Sequence, residues 1–197
     1  MNKRQKSGVF LLIAGLVLVL SGLSIHLMQK QADTAAGKTS AFLLEQLDTK
    51  TLTMPTESQP AETIDPQLPI KTCMDYDLIG VLQVPSVNLR LPILADWSDE
   101  LLKVAPCRYQ GSLTGGEMII MGHNYTSHFY PLLSAQLGDT VVLETTEGKT
   151  LTFRVDKIEH LHRTEGEKLP SAYPLTIVTC KLGGLERVVL RCSAVDQ

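Results

Sequence analysis

The sequence predicts an all-β domain with short helices, a closed or nearly closed barrel of about eight strands, standing behind an N-terminal transmembrane helix. Three observations predict it. An uncharged apolar stretch runs from Val9 to Leu27, a Thr-, Pro-, Ser- and Glu-rich stretch occupies 50–70, and from about Asp75 short apolar runs alternate with turn residues. The last pattern is that of many short strands with few helices, the signature of barrels and sandwiches.

The first element is the apolar stretch. Its 19 positions, VFLLIAGLVLVLSGLSIHL, carry no formal charge, and at about 1.5 Å per residue they span roughly the 30 Å hydrocarbon core of a bilayer. Lys3, Arg4 and Lys6 precede it, so the positive-inside rule places the N-terminus in the cytoplasm and the rest outside. A cleaved signal peptide is the competing reading. Its apolar region is usually about 7–15 residues and ends at a small-residue site, whereas His26-Leu27-Met28-Gln29-Lys30 follows here. Ala32, Ala35 and Ala36 keep that option open, but the expectation is an uncleaved anchor over 9–28, with 1–8 cytoplasmic and His26 interfacial.

The charge is unevenly placed. Of 18 basic and 21 acidic residues, the first 30 positions hold four basic and none acidic, which leaves the remainder at a net −7. An acidic body lacks the basic face that meets phosphates, so nucleic acid is excluded as a partner. At 44% apolar and 20% charged residues the chain can build a core.

Residues 29–74 read as an extracytoplasmic connection. Thr39-Ser40 are placed to cap a short helix through Phe42, Leu43, Leu44 and Leu47, whose spacing suits one helical face. Prolines at 55, 60, 66 and 69 then mark a linker that cannot bury enough apolar area to fold. The domain proper is expected over 75–197. Leu78–Leu82 and Val87–Leu91 are strand-like and joined at Pro85-Ser86, and Trp97–Val104 reads as one short helix capped by Asp96 or Ser98. Met118–Met121 is a continuous apolar run, as in a buried strand. Thr140–Thr145, Thr150–Leu161, Leu175–Thr179 and Arg187–Ser193 complete the set, with Val141/Leu143 and Leu151/Phe153/Val155 alternating as half-buried strands do.

Chemistry is concentrated in three places. Leu175-Thr176-Ile177-Val178-Thr179-Cys180 is a β-branched run that ends on a thiol. A buried strand delivering Cys180 to its exposed end is a rigid way to present a nucleophile, although free cysteine is also a common small core residue. Met121-Gly122-His123-Asn124-Tyr125 is a second strand opening into a Gly-His turn, where a histidine can carry a proton or pair with a thiolate. A turn histidine bonded only to backbone is the bland alternative, and His128 is a rival five residues on. Glu186-Arg187-Val188-Val189-Leu190-Arg191 puts an arginine at the start of a strand, seven residues after the cysteine. Folded back across Gly183-Gly184, its fork of donors suits a developing oxyanion or a substrate carbonyl. An edge-strand arginine in solvent is the alternative, and Arg191 is the rival. His160 and His162 flank Leu161 and are expected to share a solvent-facing side. The cysteines at 73, 107, 180 and 192 show no CxxC pairing for zinc. The even count in an exported chain invites a disulfide reading, but free buried thiols are expected at Cys107 and Cys192.

Taken in the order His, Cys, Arg, behind a membrane anchor, these segments resemble the sortases, cysteine transpeptidases of Gram-positive cell surfaces. The family's Thr-Leu-x-Thr-Cys strand is matched by Thr176-Ile177-Val178-Thr179-Cys180, its Gly-His turn by Gly122-His123, and its strand-opening arginine by Arg187 before Val188-Val189-Leu190. Phe129–Leu133 with Leu137-Gly138-Asp139, and Tyr109-Gln110-Gly111-Ser112, are similar to further family segments, so that the likeness covers roughly 76–195. It implies a sortase-type eight-stranded barrel. It implies Cys180, His123 and Arg187 as catalytic residues, with Thr179 a weaker candidate for the oxyanion. It also implies a thioester formed on a Leu-Pro-x-Thr-Gly-like motif of surface proteins and resolved by a cell-wall precursor or other amine. No metal or cofactor is expected. The Cys–Arg spacing of seven is short for the family, and Asp65-Pro66-Gln67 lacks the aromatic of a pilin-type lid. This points to a class B- or D-like enzyme rather than a pilus polymerase. Two other readings use the same residues: a cysteine peptidase or amidase that hydrolyses, and a membrane-tethered binding module without chemistry.

Overall fold

The structure, a computed structural model, describes residues 3–50, 69–112, 115–181 and 183–195. One helix and nine strands make the fold: α1 (Lys3–Lys50), β1 (Lys71–Cys73), β2 (Tyr76–Val84), β3 (Leu89–Leu94), β4 (Cys107–Gln110), β5 (Met118–Met121), β6 (Thr140–Thr145), β7 (Thr150–His162), β8 (Leu175–Cys180) and β9 (Glu186–Ala194). Neighbours run β1-β2-β3-β4-β5-β8-β9-β7-β6, and β6 pairs back onto β2. That last pairing, Gly80↔Thr145 to Gln83↔Val142, closes β2 to β9 into the expected eight-stranded barrel. β1 continues the same edge of β2 as a short extra strand.

Alternation along each strand divides the apolar residues into two layers. Ile79, Leu82, Ile93, Met118, Ile120, Val141, Leu143, Phe153, Leu175, Ile177, Val188 and Leu190 fill the barrel. A second set, Leu78, Val81, Leu94 and Cys107, faces outward and is covered by Leu43 and Leu47 of α1. A third, Ile119, Val178 and Val189, lies outside β5, β8 and β9 beneath Leu161 and Leu169. Met118–Met121 and Leu175–Thr179 are continuous apolar or β-branched runs because both of their faces are covered.

Several elements differ from the sequence reading. The short helix expected after Thr39 is the last part of α1, a 48-residue helix, about 72 Å long at 1.5 Å per residue. Thr39 does not cap it; its hydroxyl donates back to the Ala35 carbonyl (3.2 Å) in mid-helix. Of the predicted apolar face, Leu43 and Leu47 are buried and Phe42 is exposed. Trp97–Val104 holds only a 3-10 turn over Leu101–Lys103, although Ser98 Oγ does accept the Leu101 N–H (3.1 Å). β3 starts two residues later than expected because Pro85–Val87 forms a 3-10 turn closed by left-handed Asn88 (φ 52). β4, which is polar and only four residues long, escapes hydropathy altogether. The predicted linker and the Asp65-Pro66 segment fall largely at 51–68, outside the described residues.

α1 is long and apolar enough to cross a membrane. Phe10 and the large apolar side chains from Leu12 to Met28 are exposed; from Asp33 onward one face docks on the barrel. Asp48 receives both arms of Arg90 (2.7 and 3.0 Å) at the far end. Between these points, Ser40 Oγ donates to the Val104 carbonyl (2.7 Å) and lies 3.1 Å from Nε2 of fully buried His128. The single serine proton is used on Val104, so His128 must donate its Nε2–H, which leaves Nδ1 as a buried acceptor with no partner. Burial, and then the nearness of His123, push His128 down to about 4.

Two expectations follow from this docking. Leu43, fully buried between α1 and the barrel, should on truncation to alanine cost about 3 kcal/mol and lower the thermal midpoint of the full chain in detergent by roughly 6–12 °C. For His128, the unfolded chain binds more protons than the folded one between about 4 and the ordinary histidine value near 6.5. Stability should therefore be flat above pH about 6.5 and fall, by about 3 kcal/mol in total, as pH drops to about 4. Denaturant titrations should show His128→Gln losing most of that slope; a slope identical to the parent chain would refute the assignment.

Candidate active site

The central feature is the pairing of β5 with β8, which run parallel in the register Met118↔Leu175 to Met121↔Val178. Gly122 N–H continues the ladder to the Val178 carbonyl (3.0 Å). His123 thus leaves β5 at the level where Cys180 ends β8. On the other side of β8, β9 runs antiparallel, and Arg187 is the direct partner of Cys180. The three predicted residues therefore stand side by side on three adjacent strands.

They also share a face. Met118 and Ile120 point into the barrel, as do Leu175 and Ile177, and Val188 and Leu190. With a period of two, His123, Cys180 and Arg187 point outward, and all three are half-buried. The same alternation turns Thr179 inward: it is 1% exposed and its hydroxyl has no partner. The structure thus joins three of the four sequence-predicted residues and sets the fourth behind the nucleophile's strand.

The β8–β9 connection is tight. Lys181 N–H donates to the Glu186 carbonyl (2.8 Å), the Lys181 ammonium pairs with Glu186 (2.9 Å), and Gly183 and Gly184 adopt φ of 89 and 68. Arg187 extends toward Gly166, where a side chain would meet its Nη1 at 3.6 Å. Arg191, the rival, is fully engaged elsewhere. It is 3% exposed and donates to Glu159 (2.8 Å), to the Lys168 carbonyl (2.7 Å), to Thr176 Oγ1 (3.2 Å) and to the Leu169 carbonyl. It pins the loop between β7 and β8 with four of its five N–H donors and is buried away from the surface that Arg187 shares.

The histidine turn is built against Phe129. A side chain at Gly122 would meet the Phe129 ring at 2.5 Å, so the close packing of a fully buried phenylalanine requires glycine there. Phe129 N–H returns to the His123 carbonyl (3.0 Å), closing the loop 123–129. The His123 ring lies over Tyr125 with centroids 4.8 Å apart and planes tilted by 30°. Burial lowers its pKa below the ordinary histidine value; Asp99 acts against this and Lys103 with it. Burial thus favours the neutral imidazole, the form that can accept a proton.

The two buried thiols are poor nucleophiles. Burial pushes Cys107 and Cys192 up to about 12, and all four cysteines are free. His160 and His162 are exposed on either side of buried Leu161. A cavity of about 800 Å³ opens beside Trp97, Tyr109 and Glu117, toward the start of β5 and away from His123 and Cys180. Among the described residues no group of three or more His, Cys, Asp or Glu is placed to hold a metal.

A model of the sortase domain matches residues 82–195, more than half of the chain. Among solved structures, sortase C from Clostridium perfringens, crystallised with the C-terminal cell wall sorting motif, is 25% identical with a TM-score of 0.55, over 61% of this chain and 72% of that one. Sortase C from C. perfringens SM101 is 27% identical, TM-score 0.54, over 61% and 71%. Streptococcus agalactiae sortase C1, at 22% identity and TM-score 0.55 over 61% and 68%, shares the fold. Likeness at these identities does not assign a subclass. No curated protein matches the chain. A domain-length match on a closed barrel of this topology has one reading: the chain belongs to the sortase family, a family of transpeptidases.

Proposed function

We propose that this chain is a membrane-anchored cysteine transpeptidase in which Cys180 is the nucleophile, His123 the proton carrier and Arg187 the oxyanion donor. The observation that carries the reading is the register of β5, β8 and β9, which sets the three residues abreast on one outward face. Its substrates are surface proteins bearing a Leu-Pro-x-Thr-Gly-like motif, and its acceptor is a cell-wall precursor or other amine. The N-terminus is cytoplasmic, as Lys3, Arg4 and Lys6 imply. The barrel lies outside, with Asp33 docked five residues, or about 7.5 Å, beyond Met28.

The chemistry follows from the protonation state of His123. Cys180 Sγ bonds to the carbonyl carbon of the motif's threonine while its proton passes to neutral His123. Arg187 meets the negative charge that develops on the oxygen. Collapse breaks the C–N bond, and the imidazolium protonates the leaving amine. The acceptor amine then gives a proton to His123, attacks the thioester carbonyl and expels the thiolate, which regains a proton from His123. Thr179 backs the nucleophile's strand from inside the barrel; its side chain faces away from a carbonyl bound at Cys180.

The test uses the full chain in detergent, sorting-type pentapeptides and mass spectrometry, with and without triglycine. An acyl adduct on Cys180 and a triglycine-linked product are expected, both absent in Cys180→Ala. Arg187→Ala should lower kcat/KM by on the order of 10²–10³, while Arg191→Ala should act chiefly on stability. Hydrolysis alone at saturating amine would favour the peptidase reading, and no adduct with any peptide would favour the binding module.

A further inference from the structure

Helix α1 does more than cover the barrel. Asp33, just past its apolar stretch, takes four donors from the turn that follows His123. Its Oδ2 accepts the Thr126 N–H (3.1 Å) and the Thr126 hydroxyl; its Oδ1 accepts the Ser127 N–H (3.0 Å) and lies 2.5 Å from Ser127 Oγ. Burial works against the charge, yet the bonds from Ser127 and Thr126 hold the carboxyl below its ordinary range.

One turn on, Gly37 sits against the same serine, where a side chain would meet Ser127 Cβ at 2.8 Å. Glycine inside a helix costs about 1 kcal/mol relative to alanine, and the close approach of Ser127 accounts for it. One turn further, Ser40 holds His128. Asp33, Gly37 and Ser40 are spaced four and three apart, a single stripe on the helix. That stripe grips residues 126–128 in succession. The gripped turn is tied to the imidazole: His128 N–H and Tyr130 N–H both return to the Tyr125 carbonyl (2.9 and 3.1 Å), and Tyr125 stacks on His123.

We infer that Asp33 is a positioning residue for His123, acting through the turn at Thr126-Ser127 and the Tyr125 ring. The inference rests on the reading of His123 as the proton carrier for Cys180. It makes the juxtamembrane helix part of the active-site architecture, because a barrel without α1 leaves the two backbone N–H groups and both hydroxyls of that turn to water.

The experiment compares Asp33→Ala, Asp33→Asn, Gly37→Ala and Asp48→Ala in the full chain in detergent micelles. Asp48, which pairs with Arg90 at the other end of the docked segment, reports on helix docking alone. Per folded molecule, Asp33→Ala should lower kcat for triglycine transfer by about ten- to a hundredfold, with KM for the peptide within about twofold. Asp33→Asn, which keeps one acceptor oxygen, should recover part of the loss, and Asp48→Ala should leave kcat per folded molecule unchanged. Gly37→Ala should slow turnover although it favours the helix, a combination that a purely stabilising contact does not produce. The ring-current shift of the His123 imidazole protons over Tyr125 is read alongside, independently of activity, and should collapse in Asp33→Ala. Unchanged kcat, or slowed turnover with the His123 shift intact, would overturn the inference while Cys180-dependent turnover in the parent chain keeps the enzymatic reading. If the parent chain shows no such turnover, the enzymatic reading fails and the ring shift alone decides: its loss supports the placement of His123 by Asp33, its retention refutes it.

Discussion

The parallel pairing of β5 with β8 is the constraint on which the site depends. Parallel neighbours require long crossovers, and here the crossover carries β6, β7 and the loop that Arg191 pins. Once Met121 lies beside Val178, two further steps along each chain bring His123, just past the end of β5, level with Cys180, the last residue of β8. A one-residue slip would turn one of them into the barrel, since each step along a strand reverses the face. What guards the register is burial on both sides. Met118, Ile120, Leu175 and Ile177 fill the interior, while Ile119 and Val178 fill the outer cluster under Leu169, so a slip would have no open face to move onto.

Arginine illustrates how one strand divides its labour. Arg187 and Arg191 point the same way from β9, four residues apart. Arg191 is buried and spends its donors on two loop carbonyls, a hydroxyl and Glu159. A buried guanidinium is tolerated only when its hydrogen bonds are made, and making them fixes the loop against which Arg187 lies. Arg187 is only half-buried, and it is the arginine to which the proposed function gives the oxyanion.

How far the sequence disclosed this depends on range. Alternation located β6 and β7 within a few residues, the apolar run after Arg187 located β9, and the continuous runs at 118–121 and 175–179 correctly read as buried strands. The candidate residues His123, Cys180 and Arg187 were legible through motif order; their shared face needed the register, which is a property of pairs of strands rather than of any one. β4 was invisible, being short and polar and held by its neighbours' ladders. The docking of α1 was invisible for another reason. Asp33, Gly37 and Ser40 look like an acid, a helix breaker and a capping residue, and only contacts more than sixty residues away in sequence, with Val104, Thr126, Ser127 and His128, convert them into one stripe.

Two buried polar atoms among the described residues lack a partner, Nδ1 of His128 and Oγ1 of Thr179. Each orphaned group costs on the order of 1–3 kcal/mol, and both border the proposed reacting residues, one in the loop that begins at His123 and the other next to Cys180. Their common consequence is electrostatic. A histidine neighbour held neutral by burial adds no charge beside His123, and an inward hydroxyl adds no proton donor beside the thiol. Burial on its inner side favours the neutral form of His123, which is the form the proposed mechanism needs to take the thiol's proton. The fold gives up a little stability at these two atoms and keeps a further charge and a competing proton donor away from the proposed reacting pair.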